Sequence, residues 1–290
     1  MFTNKYIFPL LFLATFCGPA TAAVISASEN AALFGNLNQN DTNCGNVACG
    51  PTAAVNSFVF LENAYPTIYG NSLVPLINGN TFYQDEVAAA NVLSGANYMS
   101  TCNCVGTYIE DFIMGKQNYI NALAPNTTTY AAQISIPWLV QRNPGPQPST
   151  NAPQPIYVQA SIAPTAQFIQ SQIKDGEDVE VFVGYNAGGA HYLTLTGISF
   201  DTVAMTGTIS FIDPGTGAYN TANSTGVVGG VIQTNYGGGQ GAAIYAAVAE
   251  SPVPEIDAAS TANALALLLG VLALLTERRR SRSNVTDISL

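Results

Sequence analysis

The sequence predicts an α+β fold, with N-terminal helices packed on a C-terminal antiparallel sheet and a separate C-terminal transmembrane helix. Three observations carry this. Residues 52–65, 81–93 and 108–123 hold dense apolar positions over helical lengths, whereas the chain beyond Val179 turns to short alternating runs rich in β-branched and aromatic residues. Between the two lies 142–155, with five prolines and a glycine, a segment that suits neither a helix nor a ladder. A last apolar run, 258–276, carries no charge and is followed by Arg278, Arg279, Arg280 and Arg282.

Taken in order, residues 24–43 are small and polar and read as a leader into the domain. The segment 52–65 contains Ala53, Ala54, Val55, Phe58, Val59 and Leu61, enough for a buried helix, and Pro51 suits its first turn. Residues 81–93 and 108–123 follow as helices, the second with Glu110 and Asp111 near its positive end. Residues 130–140 alternate in part and read as a strand. Residues 163–174 are amphipathic through Ala166, Ile169 and Ile173, and Gly176 is placed to end them. Strands are expected at 179–183, 191–200 and 206–212. A glycine-rich stretch with Gly237, Gly238 and Gly239 precedes a final run, 242–249. No internal repeat is present.

The two ends speak of export. Lys5, an apolar run 6–16 too short to span a bilayer, and small residues around Ala20-Thr21-Ala22 form the pattern of a signal peptide, 1–22. The 258–276 run is long enough to cross a bilayer, and its arginine cluster favours the cytoplasmic side, which leaves the intervening domain outside. Removing both ends leaves Lys116, Arg142 and Lys174 against sixteen acids, a net charge of about −13. So few cations exclude nucleic-acid binding through phosphate contacts.

Val253-Pro254-Glu255-Ile256-Asp257, the hydrophobic run and the terminal arginines resemble the VPEID variant of the PEP-CTERM sorting signals. The resemblance implies a Gram-negative bacterium and an exosortase-type sorting enzyme as partner. It further implies inner-membrane anchoring until the tail, 251–282, is processed, then release to the cell surface or extracellular matrix, with 283–290 left as a cytoplasmic tail.

In an oxidising compartment Cys44, Cys49, Cys102 and Cys104 have three readings. All four form disulfides, or Cys44 pairs with Cys102 or Cys104 and leaves Cys49 reduced, or the four bind zinc. The one-residue gap of Cys102-Asn103-Cys104 disfavours zinc, and no metal or organic cofactor is expected.

Cys49 stands just before the Pro51-started helix, where the positive end of the helix stabilises a thiolate. His191 is the only histidine of the chain and opens a strand behind Gly188-Gly189-Ala190. Asp213 closes the next strand in Ile212-Asp213-Pro214, so neighbouring antiparallel strands bring a carboxylate toward an imidazole, which it orients and stabilises when cationic. Taken singly, each is equally a structural cysteine, a core histidine and a turn aspartate.

Together, Cys49-Gly50-Pro51-Thr52-Ala53-Ala54, Gly189-Ala190-His191-Tyr192 and Ile212-Asp213-Pro214 resemble, in order and spacing, the papain-like cysteine peptidases of the bacteriocin-processing type, from about Asn43 to Gly217 within an expected domain of residues 23–250. The resemblance implies a papain-like α+β fold and a thiol hydrolase cleaving peptide or amide bonds, with Cys49 as nucleophile, His191 as general base and acid, and Asp213 as the orienting residue. It implies an amide side chain upstream as oxyanion donor. The family's glutamine is replaced six residues before Cys49 by Asn43, with Asn46 and Gln39 as rivals. Two other functions fit the same residues: a non-catalytic surface or matrix protein, and an acyl-transfer or cross-linking enzyme.

Overall fold

The computed structural model describes residues 23–102, 106–135 and 156–253. Along the chain these form β1 (Val24–Ser28), α1 (Cys49–Ala64), α2 (Phe82–Leu93), α3 (Ile109–Leu123), β2 (Thr128–Ile134), β3 (Ile156–Ala160), α4 (Ala166–Lys174), β4 (Asp178–Tyr185), β5 (Ala190–Asp201), β6 (Thr206–Asp213), β7 (Ala218–Val228), β8 (Val231–Thr234) and β9 (Ala242–Pro252).

Local chemistry explains the helix starts. Thr81 caps α2 in a reciprocal capping box with Gln84, and Thr165 accepts from the Phe168 amide to start α4. No side chain caps α1; Pro51 lies in its first turn, where an N–H would lack an intrahelical partner in any case. Every residue of α1 from Cys49 to Glu62 is buried, so this helix is wrapped on all sides rather than laid on a surface.

Strands β4 to β9 close on themselves. β4 pairs with β5, β5 with β6, β6 with β7, β7 with β8, β8 with β9, and β9 returns to β4, all antiparallel. The result is a six-stranded ring, extended by β1 on β5 and by the parallel pair β2–β3 on β9. Side-chain alternation sorts the two faces of the ring. Val181, Val183, Leu193, Leu195, Ile209 and Phe211 fill its interior with Ala166, Ile169 and Ile173 of α4, whereas Tyr192 and Ile212 face outward into a second core built around α1, α2 and α3.

The second core is tied to the ring by polar groups as well as packing. Thr194 Oγ1 donates to the Ala53 carbonyl of α1 at 2.9 Å, and Phe112 of α3 stacks on Tyr192 with ring centroids 4.5 Å apart. Lys116 of α3 is fully buried and donates to Asp178 at 3.0 Å, to Glu250 at 2.5 Å and to Glu180, three acids of β4 and β9. Burial opposes its charge, but the three carboxylates more than offset this and hold the ammonium well above its ordinary range.

This architecture corrects the expected one. The sheet is mixed and draws on both halves of the chain, so there is no division into N-terminal helices and a C-terminal antiparallel sheet. Residues 24–28, read as a leader, form edge strand β1, and β2 and β3 pair in parallel. The physical reason is that a short edge strand such as Val-Ile-Ser-Ala-Ser buries little, and its place is set by the β5 ladder rather than by its own pattern. The separate transmembrane helix also finds no counterpart. No helix among the described residues is long and apolar enough to cross a membrane, and 258–276 lies outside them, as does the signal peptide 1–22.

Candidate active site

Three elements converge at one mouth of the ring. Cys49 is the first residue of α1, and the residues before it run through a 3₁₀ turn, Gly45–Val47. His191 is the second residue of β5, paired with Val183 of β4. Asp213 ends β6, where Thr194 pairs with Ile212. Continuing that register sets Asp213 opposite Leu193, so His191, two residues on, shares its face as a diagonal neighbour. Both therefore stand at the interior rim, one layer beyond Leu193 and Phe211.

His191 Nε2 lies 3.0 Å from Asp213 Oδ1. The Cys49 thiol is the other polar group near enough to the imidazole to push its pKa up. Since Nε2 is committed to the carboxylate, Nδ1 is the nitrogen left for sulfur. Burial would depress the imidazole pKa, but the bond to Asp213 and the influence of Cys49 and Asp213 outweigh it and raise the value to about 9. Asp213 is correspondingly lowered: burial works against it, and the bonds from His191, the Gly215 amide and Tyr236 prevail. Cys49 is 8% exposed and His191 likewise 8%, so the pair is shielded without being sealed.

The Asp213 turn is shaped by what crosses it. The amides of Thr216 and Gly217 both donate to the Asp213 carbonyl, and Gly215 N–H donates to Oδ1 at 2.8 Å. Gly217 has φ +69°, and a Cβ there would lie 2.3 Å from the Asn36 carbonyl oxygen, so only glycine fits. On the opposite wall, Gly50 lets α1 press on Thr107, whose Oγ1 is within 2.6 Å of where a Cβ would stand.

Cys44 and Cys102 are joined by a disulfide, with Cα atoms 5.2 Å apart, and Cys49 is free. Cys104 lies outside the described residues. The disulfide ties the loop before the nucleophile to the segment that leads to Thr107. The described acids Asp178, Glu180 and Glu250 are close enough to hold a cation, but the Lys116 ammonium already contacts all three.

The amide side chains divide clearly. Asn43 is exposed, and its backbone amide donates to Asn91 Oδ1. Asn46 is exposed as well. Gln39 is buried and bridges the two walls: its amide N–H donates to the Pro214 carbonyl at 2.8 Å and its Nε2 to the Asn46 carbonyl at 3.0 Å. Its Oε1 is buried with no partner.

Sequence reasoning missed Tyr185 and Tyr236. Tyr236, just past β8, donates its hydroxyl to Asp213 Oδ2 at 2.9 Å and stacks on the His191 ring at 6.0 Å with an interplanar angle of 14°. Tyr185 stacks on Tyr236 with ring centroids 5.9 Å apart. A tyrosine before three glycines carries no motif of its own; only ring closure through β8 brings it to the rim.

A cavity of about 580 Å³ opens on the outer face of β6 behind the Asp213 turn, lined in part by Phe34, Val59, Ile212 and Gly217. Val59 is ten residues along α1 from Cys49, about 15 Å by helical rise. None of Cys49, His191 and Asp213 lines this cavity.

Comparison with known proteins bears on the tail. No match was found among curated proteins. Residues 253–283 match the family described as the VPEID-CTERM protein sorting domain. The chain carries a sorting domain of that family, which marks it as an exported, envelope-targeted protein and is consistent with processing by an exosortase-like enzyme.

Proposed function

We propose that the exported domain is a thiol hydrolase of peptide or amide bonds, with Cys49 as nucleophile, His191 as general base and acid, and Asp213 as the orienting carboxylate. The observation that carries this reading is the placement of the chain's only histidine between a reduced cysteine at a helix start and a half-buried carboxylate.

The thiol proton passes to Nδ1 of His191, giving a thiolate at the positive end of α1 and an imidazolium held by Asp213. Sulfur attacks the carbonyl carbon, and the resulting oxyanion is met by the Cys49 N–H, which has no intrahelical acceptor, and by the Gln39 side-chain amide. Gln39 replaces Asn43 in this role because it is buried between Pro214 and Asn46, whereas Asn43 faces solvent. His191 then protonates the leaving amine as the C–N bond breaks. Water, deprotonated by the same imidazole, cleaves the thioester and restores the thiol.

The test is incubation of the purified protein with a mixed peptide library, with cleavage read by mass spectrometry. Cleavage by the native protein, lost in Cys49→Ala and in His191→Ala, supports the reading. Absence of any cleavage, together with equal alkylation of Cys49 in native and His191→Ala protein, sinks it.

A further inference from the structure

Asp213 has two carboxylate oxygens, and both are spoken for. Oδ1 meets His191 Nε2 and the Gly215 amide, and Oδ2 accepts from Tyr236. The Tyr236 hydroxyl thus fixes the rotation of the carboxylate from the side the imidazole does not touch. Its ring meanwhile lies nearly parallel to the His191 ring and packs edge-on against Phe211 at 5.3 Å, so it cannot pivot freely. Tyr185 supports it from the outer side, stacked at 5.9 Å with an angle of 21°. Burial and the Asp213 charge push the Tyr236 hydroxyl far above its ordinary range, so it remains a donor at every pH the protein meets.

We infer that Tyr236 is a positioning residue of this site, a fourth member that aims the Asp213 carboxylate through its hydroxyl and sets the plane of the His191 ring through its face. The inference rests on the thiol-hydrolase reading. A plain packing role needs the ring alone, which many aromatic side chains supply; the bond to Oδ2 is what packing does not require. Tyr185 acts one step further out by holding the Tyr236 ring against the imidazole. The groups facing the pair are His191, Asp213, Tyr185 and the Cys49 thiol, so a change in the hydroxyl is felt first by the imidazole.

The test uses the full chain with its disulfide intact. Because His191 is the only histidine, a ¹⁵N-histidine label gives one imidazole to titrate by NMR. Cys49 alkylation by iodoacetamide is followed in parallel on the peptide that contains it. In Tyr236→Phe the ring stays and only the hydroxyl goes. The expected result is a thermal midpoint lowered by no more than a few degrees, a His191 titration that moves down toward the ordinary imidazole value, and alkylation slowed roughly tenfold, the size of one hydrogen bond to a charged group. Tyr236→Leu, which removes the stacking too, should be slower again.

A titration at or above the native value with native alkylation in Tyr236→Phe overturns the inference. Should that variant not fold, Tyr185→Leu, which removes the stacked ring, keeps the question decidable: a smaller shift in the same direction supports the role, and native behaviour refutes it. Failure of the hydrolase reading shows separately, as native-rate alkylation in His191→Ala whatever the tyrosine variants do.

Discussion

Lys116→Met isolates the most demanding electrostatic feature of the fold. The ammonium is fully buried and is shared by Asp178, Glu180 and Glu250. Burial, with the Asp178 charge set against Lys116, leaves Glu180 titrating at about 7, and burial holds Glu250 well above the ordinary carboxylate range. Three acids thus share one ammonium. Without it, one more carboxyl must be protonated in a dry site. That costs about 1.4 kcal/mol per pH unit, or roughly 3–4 kcal/mol between an ordinary carboxyl and pH 7. Broken buried ion pairs cost roughly 3–5 kcal/mol, which agrees. The deficit should shrink by about 2–3 kcal/mol on moving from pH 7 to pH 5, where solvent protons are a hundredfold more abundant. The assay is urea unfolding followed by far-ultraviolet circular dichroism at both pH values. A deficit below about 1 kcal/mol at pH 7, or one identical at pH 5, would refute the argument.

Other outcomes follow from the same structure. Glu62, Glu86 and Glu180 are each raised by burial to about 7, so their contribution is complete below about pH 4.5 and is lost as pH rises through 7; denaturation midpoints should fall over that window. Replacing Cys44 and Cys102 by serine opens a loop of 58 residues, worth up to about 4 kcal/mol by loop-closure entropy, and should lower the urea midpoint and slow Cys49 alkylation. Asp213→Asn removes the carboxylate that raises His191, and its NMR titration should drop from about 9 toward 6.5 or below. Gly217→Ala forces both a positive φ and a contact with Asn36, and thermal unfolding should show a loss of more than about 1 kcal/mol.

Helices were legible where composition and punctuation agreed. Pro51 and the run after it announced α1, and Thr81 and Thr165 capped α2 and α4 as their sequences allow. The closed ring was not legible. β7, Ala-Tyr-Asn-Thr-Ala-Asn-Ser-Thr-Gly-Val-Val, buries little beyond Ala222 and Ser224, so its identity comes from pairing with β6 and β8 and not from any apolar period. β1 fails to announce itself for the same reason. His191 and Asp213 could be paired from sequence because two adjacent strands fix their spacing. Tyr236 could not, since its approach depends on β8 joining β9 across a glycine-rich turn. The disulfide partner of Cys44 was open among Cys49, Cys102 and Cys104, and the fold decides it by setting Cys102 with its Cα 5.2 Å away.

The candidate nucleophile and its base stand 142 positions apart, one leading α1 and the other opening β5. A chain that emerges amino end first delivers Cys49 long before His191 and Asp213, and the rim exists only when β9 has closed the ring onto β4. β9 ends at Pro252, directly before the sorting domain at 253–283. Completion of the site and arrival of the sorting signal thus coincide in time. No half-delivered chain presents an assembled site to its neighbours, and the fold itself acts as the delay.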